Sequence, residues 1–226
     1  YDDTATLDKV YDGDTIRLTD GRKVRIIAIN TPEMAYKERP AQALAGEATA
    51  ALKQMFQSSK RLHLKFGVDR HDRYKRVLAH VFTEQGENVA AELLHQGLGF
   101  AILVPPNDWQ HACYASQEQH AVKRSKGIWA KADYLPKPAI ELTRKMTGFQ
   151  LIEGRVGNIG HGKKWLWLDM APKFSVKVLR SNLKYFDNPP IEALAGKQIR
   201  IRGWAAYYNG KLRMSLNHPA MMKLLD

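Results

Sequence analysis

The chain has 226 residues, 44% of them hydrophobic and 26% charged, with a single cysteine, Cys113. That is enough apolar material for one large core or two small ones, and it excludes a disordered chain, an intrachain disulfide and a multi-cysteine zinc site. Lys and Arg outnumber Asp and Glu by 35 to 23, and the excess is lopsided: residues 1–133 hold 19 basic and 17 acidic side chains, residues 134–226 hold 16 and 6. A field concentrated in the last two fifths of the chain argues for an anionic partner, nucleic acid first and an anionic membrane surface second. A generically basic, solvated surface is the plainer alternative. No run approaches the roughly 18 apolar residues of a membrane-spanning helix; Phe100–Val104 is the densest, and Pro105-Pro106 ends it.

In chain order, Val10 leads into Asp12-Gly13-Asp14-Thr15, Ile16 and Leu18 then alternate with Arg17 and Thr19, and Asp20-Gly21 predicts a hairpin turn. Val24 to Ile29 reads as one nearly unbroken apolar strand. Pro40 is predicted to open a helix that carries Ala41, Leu44, Ala48, Ala51, Leu52 and Met55 at helical spacing. Leu62–Phe66 and Val77–Phe82 read as strands, and Val89–Gln96 and about Trp109–Ser125 as helices closed by Gly97 and Gly127. This order suits a small barrel with helices packed around it.

Tyr134-Leu135-Pro136-Lys137-Pro138 reads as a linker, because closely spaced prolines favour extended chain. We therefore place a domain boundary between residues 133 and 134. Beyond it, Phe149–Val156, Trp165–Met170, Val176–Leu179, Ile199–Trp204 and Leu212–Leu216 are short apolar runs separated by turns, including Gly160-His161-Gly162 and Asn209-Gly210. About five strands in so short a span predict a second, smaller all-β barrel of the oligonucleotide-binding (OB) kind. Trp165, Trp167, Phe174, Trp204, Tyr207 and Tyr208 are interleaved there with Lys163, Lys164, Lys173, Arg200, Arg202, Lys211 and Arg213. Rings stack bases and cations track phosphates, which predicts single-strand binding. Trp165 and Trp167 share strand parity and fit a core face equally well.

Four positions conflict with simple burial. Arg25 and Arg76 each open an apolar strand, and Asp14 and Glu33 lie at strand ends. Buried guanidiniums must be paired or face a polar site. Carboxylate, amide and carbonyl oxygens suit a hard cation, and two arginines suit a phosphate. Each piece alone is an ordinary turn, strand exit or ion pair; together they suit a phosphodiester site.

Asp12-Gly13-Asp14-Thr15, Val24-Arg25-Ile26, Asn30-Thr31-Pro32-Glu33 and Asp72-Arg73-Tyr74-Lys75-Arg76-Val77-Leu78-Ala79, with Lys126-Gly127-Ile128-Trp129 at the end, resemble the staphylococcal nuclease (thermonuclease) family over roughly Leu7 to Lys131. The resemblance implies a five-stranded OB-type β-barrel with three helices, so that the whole chain is mainly β with helices. It also implies a Ca²⁺-dependent phosphodiesterase acting on DNA and RNA, with Mg²⁺ or Mn²⁺ as alternative metals. On that basis Asp14 and Thr31 are metal ligands, Glu33 is the general base, and Arg25 and Arg76 grip the phosphate.

Tyr74 and Lys75 are candidate nucleic-acid contacts, as are Lys163, Lys164, Arg200, Arg202, Tyr207, Tyr208 and Lys211 in the second domain. Two departures stand out. The family's second ligand aspartate is Asn30 here, which keeps an oxygen and loses a charge, and its glycine before the second arginine is Lys75. The family's nucleotide-stacking tyrosines have no clear match around Leu103–Pro106. The expected partners are DNA and RNA, single strands above all, with no membrane insertion and a monomeric chain. The missing initial Met and the family's usual export favour a secreted or periplasmic protein; scarce cysteine fits the cytoplasm as well. A nuclease fold that has lost its chemistry and kept nucleic-acid binding is the competing reading.

Overall fold

The computed structural model describes residues 1–225, which form two compact units, Tyr1–Asp133 and the described residues from Tyr134 onward. In the first, β1 (Asp3–Val10), β2 (Thr15–Leu18), β3 (Lys23–Ile26), β6 (Val77–Thr83) and β5 (Arg61–His71) close a barrel in that order. All neighbours are antiparallel except β3 and β6. Ile16, Leu18, Val24, Ile26, Leu62, Leu64, Ala79 and Val81 fill its interior, as strand alternation requires. Helices α1 (Ala45–Met55), α2 (Val89–His95) and α3 (His111–Lys123) account for the three expected, and Ala48, Leu52, Leu93, Leu94 and Tyr114 join the barrel core.

Three boundaries differ from the sequence reading, each for a local reason. The strand expected over 24–29 breaks at Ala28, whose φ of 71° is left-handed. Its continuation, β4 (Ile29–Asn30), pairs instead with β7 (Phe100–Ala101). Helix α1 begins at Ala45 rather than Pro40 because Leu44 is left-handed and Gln42 is engaged with Glu33 through its backbone and side chain. Gly127 does not close α3; Ser125, at φ 48°, turns the chain there. Gly97 and Gly127 instead press their backbones together: a Cβ on Gly127 would lie 2.1 Å from the Gly97 carbonyl oxygen. Ile128 N–H donates to that same oxygen at 2.8 Å, tying the end of α2 to the segment after α3.

The second unit is an all-β sheet in the order β10 (Ile159–His161), β11 (Trp165–Ala171), β12 (Phe174–Leu179), β14 (Lys211–Ser215), β13 (Gln198–Tyr208), β9 (Gly148–Arg155) and β8 (Lys137–Pro138), with β15 (Met222–Leu224) also on β13. β9 and β10 are two stretches of one strand, interrupted at 156–158. Val156 bonds to Lys197 on one side of the interruption, and Gly157 and Asn158 bond to Asp169 on the other. From β9 and β10 through β11, β12 and β14 to β13 the path repeats that of the first barrel, with β12 and β14 as its one parallel pair, and β8 adds a second parallel pairing with β9 outside that path. This is the OB-like strand order.

The predicted linker is partly strand, since Lys137 and Pro138 pair with Ile152 and Glu153. The turn expected at 160–162 falls later, around Gly162–Lys164, and Gly160 and His161 pair with β11. Asn209 and Gly210, both at positive φ, make the expected hairpin turn. Among the described residues no helix is long and apolar enough to cross a membrane.

A buried polar junction joins β6, α2 and α3. The Tyr114 hydroxyl lies 2.7 Å from His80 Nδ1 and accepts from Asn88 Nδ2 at 2.9 Å, while Asn88 Oδ1 caps α2. With its lone pair engaged by Asn88, the hydroxyl donates to a neutral imidazole. Burial, with Lys65 nearby, pushes His80 down to about 4. An unfolded histidine titrates near 6.5, so this group's contribution is complete above that value and is lost as pH falls from 6.5 towards 4. The loss is at most about 3 kcal/mol. Urea unfolding at pH 7 and pH 4.5 should show a smaller pH-dependent loss in His80→Gln than in the wild type; equal losses would contradict this account.

Candidate active site

The Asp12-Gly13-Asp14 turn presses into the corner left by the break at Ala28. A Cβ on Gly13 would lie 2.8 Å from Ala48 Cβ and from Thr31 Oγ1, so only glycine lets the turn approach Thr31 and α1 this closely. The approach allows Asp14 Oδ2 to accept from Thr31 N–H at 2.9 Å and from the Thr31 hydroxyl at 3.2 Å, while Oδ1 accepts from the Thr15 hydroxyl at 3.1 Å. Arg25, on β3, completes the shell with Nη2 3.1 Å from Asp14 Oδ2, and it also donates to its neighbour's carbonyl at Ile26.

Arg76 enters the same corner from the start of β6. Asp72 holds it, accepting from Arg76 Nε at 2.7 Å and from its backbone N–H at 3.0 Å. Arg76 Nη1 lies 3.5 Å from the Thr15 hydroxyl, the group that also touches Asp14. Glu33 stands exposed at the mouth, its backbone clasped by Gln42. Partial burial of its carboxyl and the charge of Asp14 push its pKa up, and Arg25 and Arg76 pull it down. Asp14, Glu33, Arg25 and Arg76, far apart in sequence, thus share one electrostatic neighbourhood.

Sequence reasoning passed over three supporting residues. Asp12 accepts from Asp14 N–H at 3.0 Å, and burial followed by the Asp14 charge raises its carboxyl to about 6. The doubled aspartate was its signal. Thr15 bridges the two halves of the site, and Asp72 aims Arg76; neither stands out from a single sequence.

The residues expected to hold a metal are Asp14, Asn30 and Thr31. All are buried, and among the described residues no hydrogen bond involves the Asn30 side chain and no backbone N–H reaches the Thr31 carbonyl. One carboxylate and two neutral oxygens without protein donors fit a hard divalent cation. Among the described residues no three His, Cys, Asp or Glu side chains form a metal-binding group, consistent with an amide at position 30.

Tyr74 is 64% exposed, and the guanidiniums of Arg73 and Arg76 lie over its ring at 4.7 and 5.5 Å. Lys75 beside it is exposed at φ 63°, which gives the physical reason for a glycine there in the family.

In the second unit Lys163 and Lys164 occupy the β10–β11 turn, and Tyr207, Tyr208 and Lys211 surround the β13–β14 turn. Arg200 lies apart on β13, paired to Glu153 at 2.5 Å, with Arg202 two residues along. Phe174, grouped with the stacking rings on sequence, is fully buried because it shares the inward parity of Val176 and Val178 on β12, whereas Trp165 and Trp167 are not core. Leu166, Leu168 and Met170 point inward, leaving the two indoles half-buried on the outer face.

A barrel corner that combines oxygen ligands for a hard cation with two anchored guanidiniums and a carboxylate is suited to phosphate chemistry. The family of staphylococcal nuclease homologues matches residues 23–131. The chain is 35% identical over 135 residues to Endonuclease YncB of Bacillus subtilis (strain 168), covering 58% of this chain and 63% of that protein. SPbeta prophage-derived endonuclease YokF of the same organism is also 35% identical over 135 residues, 45% of its length. Thermonuclease of Staphylococcus intermedius is 31% identical over 126 residues, 54% of this chain and 74% of that protein. The chain belongs to the staphylococcal nuclease family.

A left-handed residue with a side chain is strained by about 1–2 kcal/mol, whereas glycine loses about 0.5–1 kcal/mol through chain entropy. Lys75→Gly should therefore raise stability by about 0.5 kcal/mol, read as a higher urea midpoint with an unchanged slope. A lowered midpoint would show that the Lys75 side chain contributes more than its backbone costs.

Proposed function

We propose that the protein is a metal-dependent nuclease that hydrolyses phosphodiester bonds of DNA and RNA, single strands preferentially, leaving 3′-phosphate ends. The observation that carries this reading is the convergence of Asp14, Glu33, Arg25 and Arg76 on one barrel corner, in a member of a nuclease family. In this reading Glu33 takes a proton from the attacking water; desolvation raises its proton affinity and the two arginines keep it ionisable. Arg25 and Arg76 are held by Asp14 and Asp72, so their donors are oriented before the phosphate arrives and offset charge on its oxygens as attack proceeds.

Asp14, the Asn30 amide oxygen and the Thr31 carbonyl would hold a divalent cation, Ca²⁺ in the first instance. When bound, it would polarise the phosphoryl group and neutralise charge beside it. The second unit, residues 134–226, serves as a basic nucleic-acid-holding domain. Its 16 basic side chains against 6 acidic support that role. The specific observation behind the rival reading, a binder that has lost its chemistry, is Asn30.

Labelled single-stranded DNA, duplex DNA and RNA incubated with Ca²⁺, Mg²⁺, Mn²⁺ or EDTA test the proposal. Cleavage should require metal and fall by about 10²–10⁴-fold in Glu33→Ala, the range of a lost general base, and by at least about 10²-fold in Arg76→Ala, as for a lost charge-stabilising donor. Salt-sensitive binding with no cleavage under any metal would favour the rival. Asn30→Asp should tighten Ca²⁺ binding about tenfold, read by calorimetry, because affinity follows ligand charge. Unchanged affinity would remove position 30 from the metal site.

A further inference from the structure

The outer face of the second unit's sheet alternates rings and cations. Lys177 Nζ lies 4.7 Å from the centre of the Trp165 ring, and Lys164 Nζ lies 5.6 Å from it. The Arg213 guanidinium lies 5.0 Å from the rings of both Trp167 and Tyr208. These side chains come from β11, β12, β14 and the tip of β13, so neighbouring strands assemble one surface across the sheet. Among the described residues neither Lys177 nor Arg213 forms an ion pair with a carboxylate. The single acidic side chain on β11, β12 and β14, Asp169, accepts from the Ser175 hydroxyl at 2.6 Å.

Next to Trp167 the neighbouring strand carries no bulk. Gly160 is its register partner, and a Cβ on Gly162 would come within 3.6 Å of Trp167 Nε1. Gly160 and Gly162 thus bring no side chain of their own against the indole.

We propose that Trp165, Trp167 and Tyr208, with Lys177 and Arg213 set over their rings, form a stacking ladder that holds single-stranded nucleic acid on the outer face of β11, β12 and β14. The inference rests on the reading of this chain as a protein that acts on nucleic acid, and it specifies how the second unit would hold it. A cation over an aromatic face is favourable by itself. A single strand replaces both halves of that contact at once, phosphate for the ring at the cation and base for the cation at the ring. Trp165 and Trp167 are attached about 6.6 Å apart, two residues along one strand face, about twice the 3.4 Å spacing of bases along a nucleic-acid strand. That leaves room for one flat base between neighbouring rings. Paired bases in a duplex hide their faces, so the ladder selects unpaired strands. An anionic bilayer would use the cations and leave the rings without stacking partners.

The test uses the full chain in EDTA, with a fluorescein-labelled 15-nucleotide oligothymidylate, a duplex of equal length, and phosphatidylglycerol vesicles as probes. Anisotropy gives affinity, and quenching of tryptophan emission reports stacking. The single strand should bind tighter than the duplex and quench emission, and a Trp165→Ala, Trp167→Ala double variant should bind it at least tenfold more weakly. A Trp165→Phe, Trp167→Phe variant keeps the rings and should stay within about threefold of the wild type, which separates stacking from damage to the fold. Lys177→Gln with Arg213→Gln should lower the slope of log affinity against log salt by about 1.4, or 0.7 for each cation on a single strand.

Wild-type affinity in the alanine variant, equal or tighter duplex binding, or binding to vesicles without binding to the oligonucleotide would each overturn the ladder. Metal-dependent hydrolysis of bis(p-nitrophenyl) phosphate by the wild type reports separately on the nuclease reading. Hydrolysis without oligonucleotide binding would overturn the ladder alone. Binding that the alanine variant loses, without hydrolysis of any diester, would overturn the nuclease reading and support the ladder.

Discussion

Asp14 is the residue about which the first unit is organised. Its carboxylate lies in a buried corner where an isolated charge is costly, and three chain segments share the work of stabilising it. Thr31 donates from backbone and hydroxyl, Thr15 from its hydroxyl, and Arg25 supplies the opposite charge. Each segment is thereby fixed against the others. Thr31 carries Asn30 and Glu33 with it, Arg25 aligns the end of β3, and Thr15 extends the network to Arg76. The glycine between Asp12 and Asp14 is part of the same constraint, because any Cβ there would drive the turn away from Thr31.

The backbone at Ala28 converts this constraint into a site. Had Val24 to Ile29 run on as one strand, Asn30 and Thr31 would have extended the barrel wall beside β6. The left-handed residue turns the chain out of that wall and into a short pairing with β7. Ile27 still bonds to Ala79 of β6, but Ile29 and Asn30 pair with β7 and Thr31 meets Asp14. Gln42 acts in the same way on Glu33: two hydrogen bonds to the Glu33 backbone hold the carboxylate-bearing segment, and they depend on Gln42 staying outside α1.

These are the features that a single sequence hides. Alternation made β2, β5 and β6 legible, and glycine and asparagine marked the hairpin turn at 209–210, because both signals are local. The ordered motifs around Asp14, Arg25, Glu33 and Arg76 pointed to the site as a set. Nothing local marks Ala28 as left-handed, since alanine favours the opposite sign of φ and is held there by its surroundings. The same is true of Gly127, which looks like a helix stop and is a close backbone contact with Gly97. The support given by Thr15 and Asp72 was hidden for another reason: a residue that acts by holding another is visible only once the partner's position is known.

The barrel of the first unit and the sheet of the second share a strand path and differ in where they place their polar groups. In the first, the charged residues sit at strand ends and in turns, where left-handed residues and a glycine let backbone groups converge on a buried carboxylate. Such a corner is small and rigid, and it suits chemistry at one phosphate. In the second, β11 keeps its alternation, with Leu166, Leu168 and Met170 inward and Trp165 and Trp167 outward. A strand face repeats every two residues and spreads over several strands, which suits a long, repetitive polymer. The common path fixes which strands are neighbours in both units. Whether the outcome is a pocket or a platform depends on where the chain departs from regular backbone: at Ala28 and Lys75 the departures gather charge at a point, and the regular course of β11 and β14 distributes it along a face.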